Sequence, residues 1–218
     1  MDLRLDLLGD SIAYGVGASR SGDRLAARLT QGLADRGFDV TTHVLALSGA
    51  RSAGLARQVD LALSQTEPTA DSDERVAVIV VGANDLTHMV PADQAAADLG
   101  RAVRRLRAVG AEVVVAPAPD LSVVPHVPPA LRPVVRAGSM ALRAAQVRAV
   151  REAGGRVADQ DGATTAAFAA DPALFSGDRF HPSSAGYRVI AAALLPVVVD
   201  AAEALSRADS GGTTPPAA

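Results

Sequence analysis

Short apolar segments alternate along the chain with longer segments in which apolar residues recur every third or fourth position. The short segments have the length and the Val, Ile and Leu content of buried strands. The run at residues 76–81, Val-Ala-Val-Ile-Val-Val, is the most apolar of them and is typical of a strand covered on both faces. Strands are predicted at residues 3–8, 39–47, 76–81, 113–116 and 156–158.

The longer segments have the spacing of amphipathic helices. In the first of them Leu25, Leu29 and Leu33 fall on one face, and Gly37 follows as a stop signal. Pro196 lies within the last segment and is expected to kink or split that helix. Helices are predicted at residues 24–36, 52–64, 93–109, 133–153 and 184–205.

Alternation of strands and helices predicts βαβ units, and therefore a parallel sheet with helices on both faces. The expected architecture is α/β, a three-layer α/β/α, doubly wound fold with about five strands. One domain is expected over residues 1–205. Residues 206–218 contain mostly Ser, Gly, Thr, Pro and Ala, and are expected to form a disordered tail.

Composition removes several kinds of chemistry. The 218 residues include no Cys, and all 21 basic residues are Arg. Disulfides, a thiolate nucleophile, a Schiff-base lysine and a phosphate-loop lysine are therefore excluded. A net charge of −3 and an aromatic content of 3% argue against binding to nucleic acid.

Targeting signals are not evident in the sequence. Residues 1–8 lack the basic start and long apolar stretch of a signal peptide. No run approaches the roughly 18 apolar residues of a membrane span. The protein is therefore expected to be soluble and cytoplasmic, with no membrane span.

Residues of types that carry out catalysis follow three of the predicted strands. Ligands bind at the carboxyl ends of the strands in doubly wound folds, so these loops are where a site is expected. A fourth segment precedes the last predicted helix, which can pack back beside them. The four segments are Gly9-Asp10-Ser11, Ser48-Gly49-Ala50, Gly82-Ala83-Asn84-Asp85 and Asp178-Arg179-Phe180-His181-Pro182.

Together these segments contain the parts of an acyl-transfer site. Ser11 is the candidate nucleophile, His181 the base that removes its proton, and Asp178 the acceptor that orients the imidazole. The Ser11 and Gly49 backbone N–H groups and the Asn84 amide are candidate donors to an oxyanion. Gly-Asp-Ser, Gly-x-Asn-Asp and Asp-x-x-His are each weak evidence of a catalytic site when taken alone. The three motifs in this order are unlikely to occur by chance.

Two further carboxylates have a supporting role in this interpretation. Asp10 and Asp85 are expected to hold the loops around Ser11 and Asn84 by accepting backbone N–H bonds.

The combination resembles the SGNH/GDSL hydrolase family over about residues 4–200. Gly9-Asp10-Ser11 is followed by Ile12 where the family usually has Leu, and Gly82 to Asp85 and Asp178 to Pro182 match fully. Gly49 is the loosest match. The resemblance implies a flavodoxin-like fold and metal-free hydrolysis of a small-molecule ester, without a cofactor. It implies the same roles for Ser11, His181, Asp178, Gly49 and Asn84.

Alternative functions remain open at this point. A metal-dependent phosphoesterase would gather Asp10, Asp85, Asp178 and His181 around a cation. An acyltransferase would use the same acyl-enzyme. A nucleotide-binding module is poorly supported, because no Gly-x-Gly-x-x-Gly follows the first strand. The family resemblance covers esterases, thioesterases, lysophospholipases and carbohydrate deacetylases, and the sequence does not choose among them.

The segment at residues 117–133 contains six prolines and is long for a connection within a domain. Two interpretations of it are equally supported. Its apolar residues can line an acyl pocket beside Ser11, or the segment is a rigid surface crossover. The apolar residues concerned are Leu121, Val123, Val124, Val127 and Leu131.

Overall fold

The computed structural model describes residues 2–64, 74–159 and 162–210, except the side chains of residues 208–210. The strands are β1 (Asp2–Gly9), β2 (Asp39–Val44), β3 (Arg75–Val80), β4 (Glu112–Ala116) and β5 (Arg156–Val157). They form one parallel sheet in the order β2-β1-β3-β4-β5. This is the flavodoxin-like strand order, so the predicted fold class is confirmed.

The helices lie between the strands. They are α1 (Ser11–Tyr14), α2 (Leu25–Ala34), α3 (Leu55–Ser64), α4 (Ala83–Thr87), α5 (Ala92–Arg107), α6 (Arg132–Glu152), α7 (Ala163–Ala170) and α8 (Ser184–Ser210). The five long helices lie where they were predicted, although a short 3₁₀ turn, Ser52–Gly54, precedes α3. Helices α1, α4 and α7 were not predicted. The first two are too short to show a period, and α7 is rich in alanine with no polar face.

Two apolar cores cover the two faces of the sheet. On one face, α2 and α8 pack on β1 and β3, with Leu25, Leu29 and Leu194 buried at the contact. On the other, α3, α5 and α6 contribute residues such as Val59 and Leu99. Every residue of β3 is buried, as its apolar sequence predicts.

The register of the central strands determines where the site lies. Gly9, the last residue of β1, pairs with Val80, the last residue of β3. The loops that follow these strands therefore leave the same edge of the sheet, next to each other. Those loops contain Ser11 and Asn84, so the fold places them at the edge where ligands bind in doubly wound folds.

The second strand is shorter than predicted. It was expected to reach Leu47, but it ends at Val44. The backbone N–H groups of Leu45 and Ala46 both donate to the Leu7 carbonyl, at 2.8 and 3.1 Å, which interrupts the alternation of a regular ladder. The apolar residues after Val44 therefore belong to the loop that leads to Gly49.

The last helix is continuous through Pro196, so the expected split is wrong. A proline at this position leaves the carbonyl of Ala192, four residues earlier, without its helical donor. Both Ala192 and Pro196 are exposed, which lets water hydrate that carbonyl. The helix also continues to Ser210, into the predicted tail, and residues 211–218 lie outside the described part of the chain.

The same helix bears on the expectation about membrane spans. The segment Ser184–Arg207 contains an 18-residue window with a mean hydropathy of 1.9, and by length and composition alone it is long and apolar enough to cross a membrane. This makes α8 the one weak candidate for a span among the described residues, and length and composition do not establish a span. In this structure Tyr187, Leu194 and Val198 are buried in the core between α2 and the sheet, which accounts for the apolar character of this face of the helix.

Candidate active site

The three candidate catalytic side chains form one hydrogen-bonded chain. His181 Nε2 lies 3.0 Å from Ser11 Oγ, and His181 Nδ1 lies 2.6 Å from Asp178 Oδ2. Because a carboxylate only accepts, Nδ1 carries the proton in this contact, which leaves Nε2 of the neutral ring to accept from the serine hydroxyl. The arrangement has the geometry of a nucleophile, a base and the group that orients the base.

Asp178 is held by donors from its own loop. Its Oδ1 accepts the Ser176 hydroxyl at 2.7 Å and the backbone N–H groups of Phe180 and His181 at 2.9 Å each. Burial raises the pKa of Asp178, but the bonds from His181, the two N–H groups and Ser176 outweigh it and hold that pKa below its usual range. The carboxylate therefore stays ionised beside the imidazole in neutral solution.

The position of Ser11 depends on a sharp turn at the end of β1. Gly9 has φ +127°, and a Cβ there would lie 1.8 Å from the Val80 carbonyl oxygen. Asp10 then caps the helix that begins with Ser11, because its Oδ1 accepts from the Ile12 N–H at 3.0 Å. Strand, turn and cap together direct the serine hydroxyl toward His181.

Asp10 is a carboxyl group with little access to solvent. It is 1% exposed, and burial raises its pKa from 3.8 to about 6, although the hydrogen bond from the Ile12 N–H opposes that rise. The negative charge of Asp85 raises it further, whereas His181 lowers it. The ring of Tyr187 is buried nearby, with its hydroxyl donating to the Val16 carbonyl at 2.7 Å.

Donors for an oxyanion lie in the adjoining loops. Within the described residues, neither the Ser11 nor the Gly49 backbone N–H has an acceptor. Asn84 Nδ2 donates one proton to the Ala50 carbonyl at 3.0 Å, which holds the loop of Gly49 beside Asn84 and leaves its second proton. Gly49 has φ +82° and open space where a Cβ would be, so its left-handed turn accounts for the glycine.

Asp85 connects the third loop to the second. Its carboxylate accepts the Ser52 N–H at 3.1 Å and the Ser52 hydroxyl at 2.8 Å. Burial raises the pKa of Asp85, and the two bonds from Ser52 act in the opposite direction. Ser52 follows the Gly49 loop closely in sequence, so this contact fixes that loop relative to Asn84.

Two buried glutamines support the strand ends and were missed in the sequence. Gln58 of α3 accepts from the Gly9 N–H at 2.6 Å and donates to the Gly9 carbonyl at 2.9 Å. Gln146 of α6 accepts from the Ala118 N–H at 2.7 Å and donates to the Val81 carbonyl at 3.2 Å. Each lies within an apolar stripe of its helix, and a lone amide in such a stripe is the signal that could have identified them.

His126 was also missed as part of the site. It lies in the proline-rich segment, and its Nε2 donates to the Asp178 backbone carbonyl at 2.7 Å. This bond connects that segment to the loop of the candidate triad. Nothing in its sequence context indicates the contact, because the two residues are 52 positions apart.

An apolar cavity of about 100 Å³ opens beside Ser11 and His181. Its walls come from the strand ends at Val80 and Ala116, from α8, and from phenylalanines near α7. Further walls come from residues 117–124 of the proline-rich segment, including Leu121, Val123 and Val124. Val127 packs against Leu121 and Val124 without lining the cavity, and Leu131 is 51% exposed, so only part of the segment lines it.

The residues considered for a metal site do not converge. Asp178 and His181 bond each other, Asp10 accepts from a backbone N–H, and Asp85 accepts from Ser52. Across residues 2–64, 74–159 and 162–210, no group of three or more His, Asp or Glu side chains is arranged to hold a metal ion. The geometry thus offers no support for the metal-dependent alternative.

Comparison with known proteins agrees with these observations. The model of the GDSL-like lipase/acylhydrolase family matches residues 7–189. A GDSL-like esterase of Mycobacterium tuberculosis is 37% identical over 202 residues, which cover 92% of this chain. The matched region is 63% of that relative, so the chain spans less than two thirds of its length.

Solved structures show the same fold. A member of the lipolytic protein G-D-S-L family from Veillonella parvula superposes with a TM-score of 0.70 at 17% identity, covering 89% of this chain and 97% of that one. An acetylxylan esterase from Geobacillus stearothermophilus gives 0.65 at 20% identity, covering 89% and 93%. The predicted resemblance is confirmed by the extent of the family match: this chain belongs to the GDSL-like lipase/acylhydrolase family.

Proposed function

We propose that this protein is a serine hydrolase that cleaves carboxylic esters of small molecules through an acyl-enzyme on Ser11. The observation that carries the proposal is the continuous contact from Ser11 Oγ through His181 to Asp178, at 3.0 and 2.6 Å. Family membership supports ester chemistry in general. The particular residues and their roles are proposed from the geometry.

In the first half-reaction Ser11 Oγ attacks the ester carbonyl while His181 Nε2 takes the hydroxyl proton. Asp178 accepts from Nδ1–H and stabilises the positive charge that the imidazole gains. The ester C–O bond then breaks, and the leaving alcohol takes the proton from Nε2. The acyl group remains on Ser11.

The negative charge on the carbonyl oxygen needs donors at the site where it develops. The Ser11 and Gly49 N–H groups have no acceptor among the described residues, and Asn84 keeps one amide proton, so all three are available. Donors fixed in advance by the surrounding structure stabilise the tetrahedral state without reorganisation. The bonds of Asn84 to Ala50 and of Asp85 to Ser52 hold the loops in place.

Water completes the cycle. His181 removes a proton from a water molecule, whose oxygen attacks the acyl carbonyl, and the Ser11 oxygen leaves with that proton. Both halves require His181 Nε2 to be free to accept a proton.

The acyl group fits the apolar cavity beside Ser11. An apolar cavity of about 150 Å³ holds benzene, which has six carbons. By proportion, a cavity of about 100 Å³ takes an acyl chain of roughly four carbons. Esters of short acyl chains are therefore the proposed substrate class.

Replacement of Ser11 tests the proposal. The Ser11→Ala protein is expected to lose at least about 10³-fold in kcat on 4-nitrophenyl butyrate and to resist labelling by a fluorophosphonate, because the nucleophile is gone. Ser64→Ala, at an exposed serine that ends α3, is the matched control and should keep wild-type turnover and labelling. Wild-type turnover by Ser11→Ala, or inhibition of the wild type by EDTA, would contradict the mechanism.

A further inference from the structure

A second depression in the surface adjoins the apolar cavity. Val123, Phe168 and Phe175 form walls of both, and the second depression has a volume of about 650 Å³. Arg132, Arg136 and Arg179 also line it. We call it the arginine groove.

The charged side chains that line this groove are all positive. None of the described residues that line it is acidic. Asp120 lies 3.9 Å from Arg136, Arg132 Nε donates to a backbone carbonyl at 3.4 Å, and the Arg179 side chain has no hydrogen-bond or ion-pair partner among the described residues. The chain as a whole has a net charge of −3, whereas the charged side chains that line this groove are all arginines.

The backbone at these positions does not favour arginine. Arg132 begins α6 and Arg136 follows one turn later, with no acidic residue in that first turn. Positive side chains near the start of a helix interact unfavourably with its dipole. Arg179 has φ +58°, a left-handed conformation that is strained for a long side chain, and it lies between Asp178 and His181.

We propose that the arginine groove binds an anionic group of the ester substrate, a phosphate or a carboxylate. The inference rests on the proposed hydrolysis at Ser11. The guanidinium fork matches the oxygens of both anions and offers two parallel hydrogen bonds. The groove shares walls with the apolar cavity beside Ser11, and it is lined by Arg179, two positions from His181. A substrate that acylates Ser11 therefore extends into the groove.

Two matched pairs of esters identify the anion and its side of the ester bond. The first pair is 1-butyrylglycerol 3-phosphate, whose charge is on the alcohol side of the ester, and neutral 1-butyrylglycerol. The second pair is monoethyl succinate, whose charge is on the acyl side, and neutral ethyl butyrate. The wild type is expected to prefer the anionic member of one pair by about tenfold in kcat/KM at low salt, and the preference should shrink as salt screens it.

Removal of single arginines tests the groove itself. Arg132→Gln and Arg136→Gln are each expected to reduce the anionic-to-neutral ratio of kcat/KM by about fivefold. Because the ratio is taken within one variant, a general loss of folded or active protein cancels. The control is Arg101→Gln, an arginine 62% exposed on α5, which should keep the wild-type ratio. Equal activity on both members of each pair, or an equal fall in the control, overturns the proposal.

Calorimetric titration with glycerol 3-phosphate and with succinate separates this inference from the proposed function. Binding that weakens in Arg132→Gln but not in Arg101→Gln supports the groove even if no ester is hydrolysed, in which case only the hydrolase proposal fails. Hydrolysis of the neutral esters without binding of either anion has the opposite meaning: the hydrolase stands and the groove is rejected.

Discussion

At the scale of single residues, Asp10 combines two properties that usually conflict. It supports the turn that presents Ser11, yet its carboxyl is 1% exposed, and burial raises its pKa to about 6. An acid whose pKa is higher in the folded state keeps its proton where the unfolded chain has released it. Its ionisation therefore reduces stability as the pH rises.

This property predicts the pH dependence of stability. Between pH 4 and pH 6 the free energy of unfolding should decrease through Asp10, by up to about 3 kcal/mol for a pKa moved from 3.8 to about 6. In Asp10→Asn the amide oxygen still accepts from Ile12 N–H, and this dependence is absent. Urea unfolding at pH 4, 5, 6 and 7 should show the variant gaining relative to the wild type as the pH rises.

The control for this series is Asp200→Asn, at an exposed position on α8. Its difference from the wild type should be small at every pH. A constant difference between Asp10→Asn and the wild type from pH 4 to pH 7 would show that the Asp10 carboxyl does not titrate in this range.

At the scale of elements, the turn from β1 into α1 is the most constrained junction of the site. The Gly9 N–H and carbonyl are both bonded to Gln58, and its α-carbon faces the Val80 carbonyl of the neighbouring strand. The backbone is therefore held from the helix side and the strand side together. No side chain fits between them.

Comparison of two glycines tests this constraint. Gly9→Ala is expected to cost at least about 4 kcal/mol in stability, because its Cβ would lie 1.8 Å from the Val80 oxygen and the backbone has to move. Gly37→Ala is the matched control, since Gly37 also has a positive φ (+89°) but nothing within 4 Å of a Cβ. It should cost only about 1–2 kcal/mol, the backbone penalty alone. If both variants lose the same free energy of unfolding in chemical denaturation, the structure relieves the close approach at Gly9 without a loss of stability.

The elements also show what the sequence can and cannot predict. Period and composition located the five strands and the long helices, because each buries an apolar face. Pro196 was misjudged because its effect depends on whether the carbonyl of Ala192 is exposed, which a sequence does not state. The supporting contacts of Gln58, Gln146 and His126 join residues far apart in the chain, so local pattern had no means of pairing them.

At the scale of the whole molecule, the apolar cavity beside Ser11 is formed by elements that are far apart in the sequence. Strand ends of β3 and β4, the proline-rich segment, the region of α7, and α8 each contribute a wall. Two residues of α8, Ile190 and Leu194, line the cavity and also belong to the core on the sheet, and Leu194 is the more deeply buried, at 1% exposed. The size of the cavity therefore depends in part on a helix that contains none of the candidate catalytic residues.

This origin predicts that acyl preference can be changed from α8. Leu194→Ala enlarges the cavity, and each further methylene that it buries is worth about 0.8 kcal/mol, close to fourfold in kcat/KM. Across 4-nitrophenyl esters of two to ten carbons, the preferred chain should lengthen by about two or three carbons. Leu33→Ala, a buried leucine of the same core that does not line the cavity, should lose a similar 2–5 kcal/mol of stability and keep the wild-type preference. A shift in both variants would mean that loosening of the core, and not the wall at Leu194, determines the acyl length.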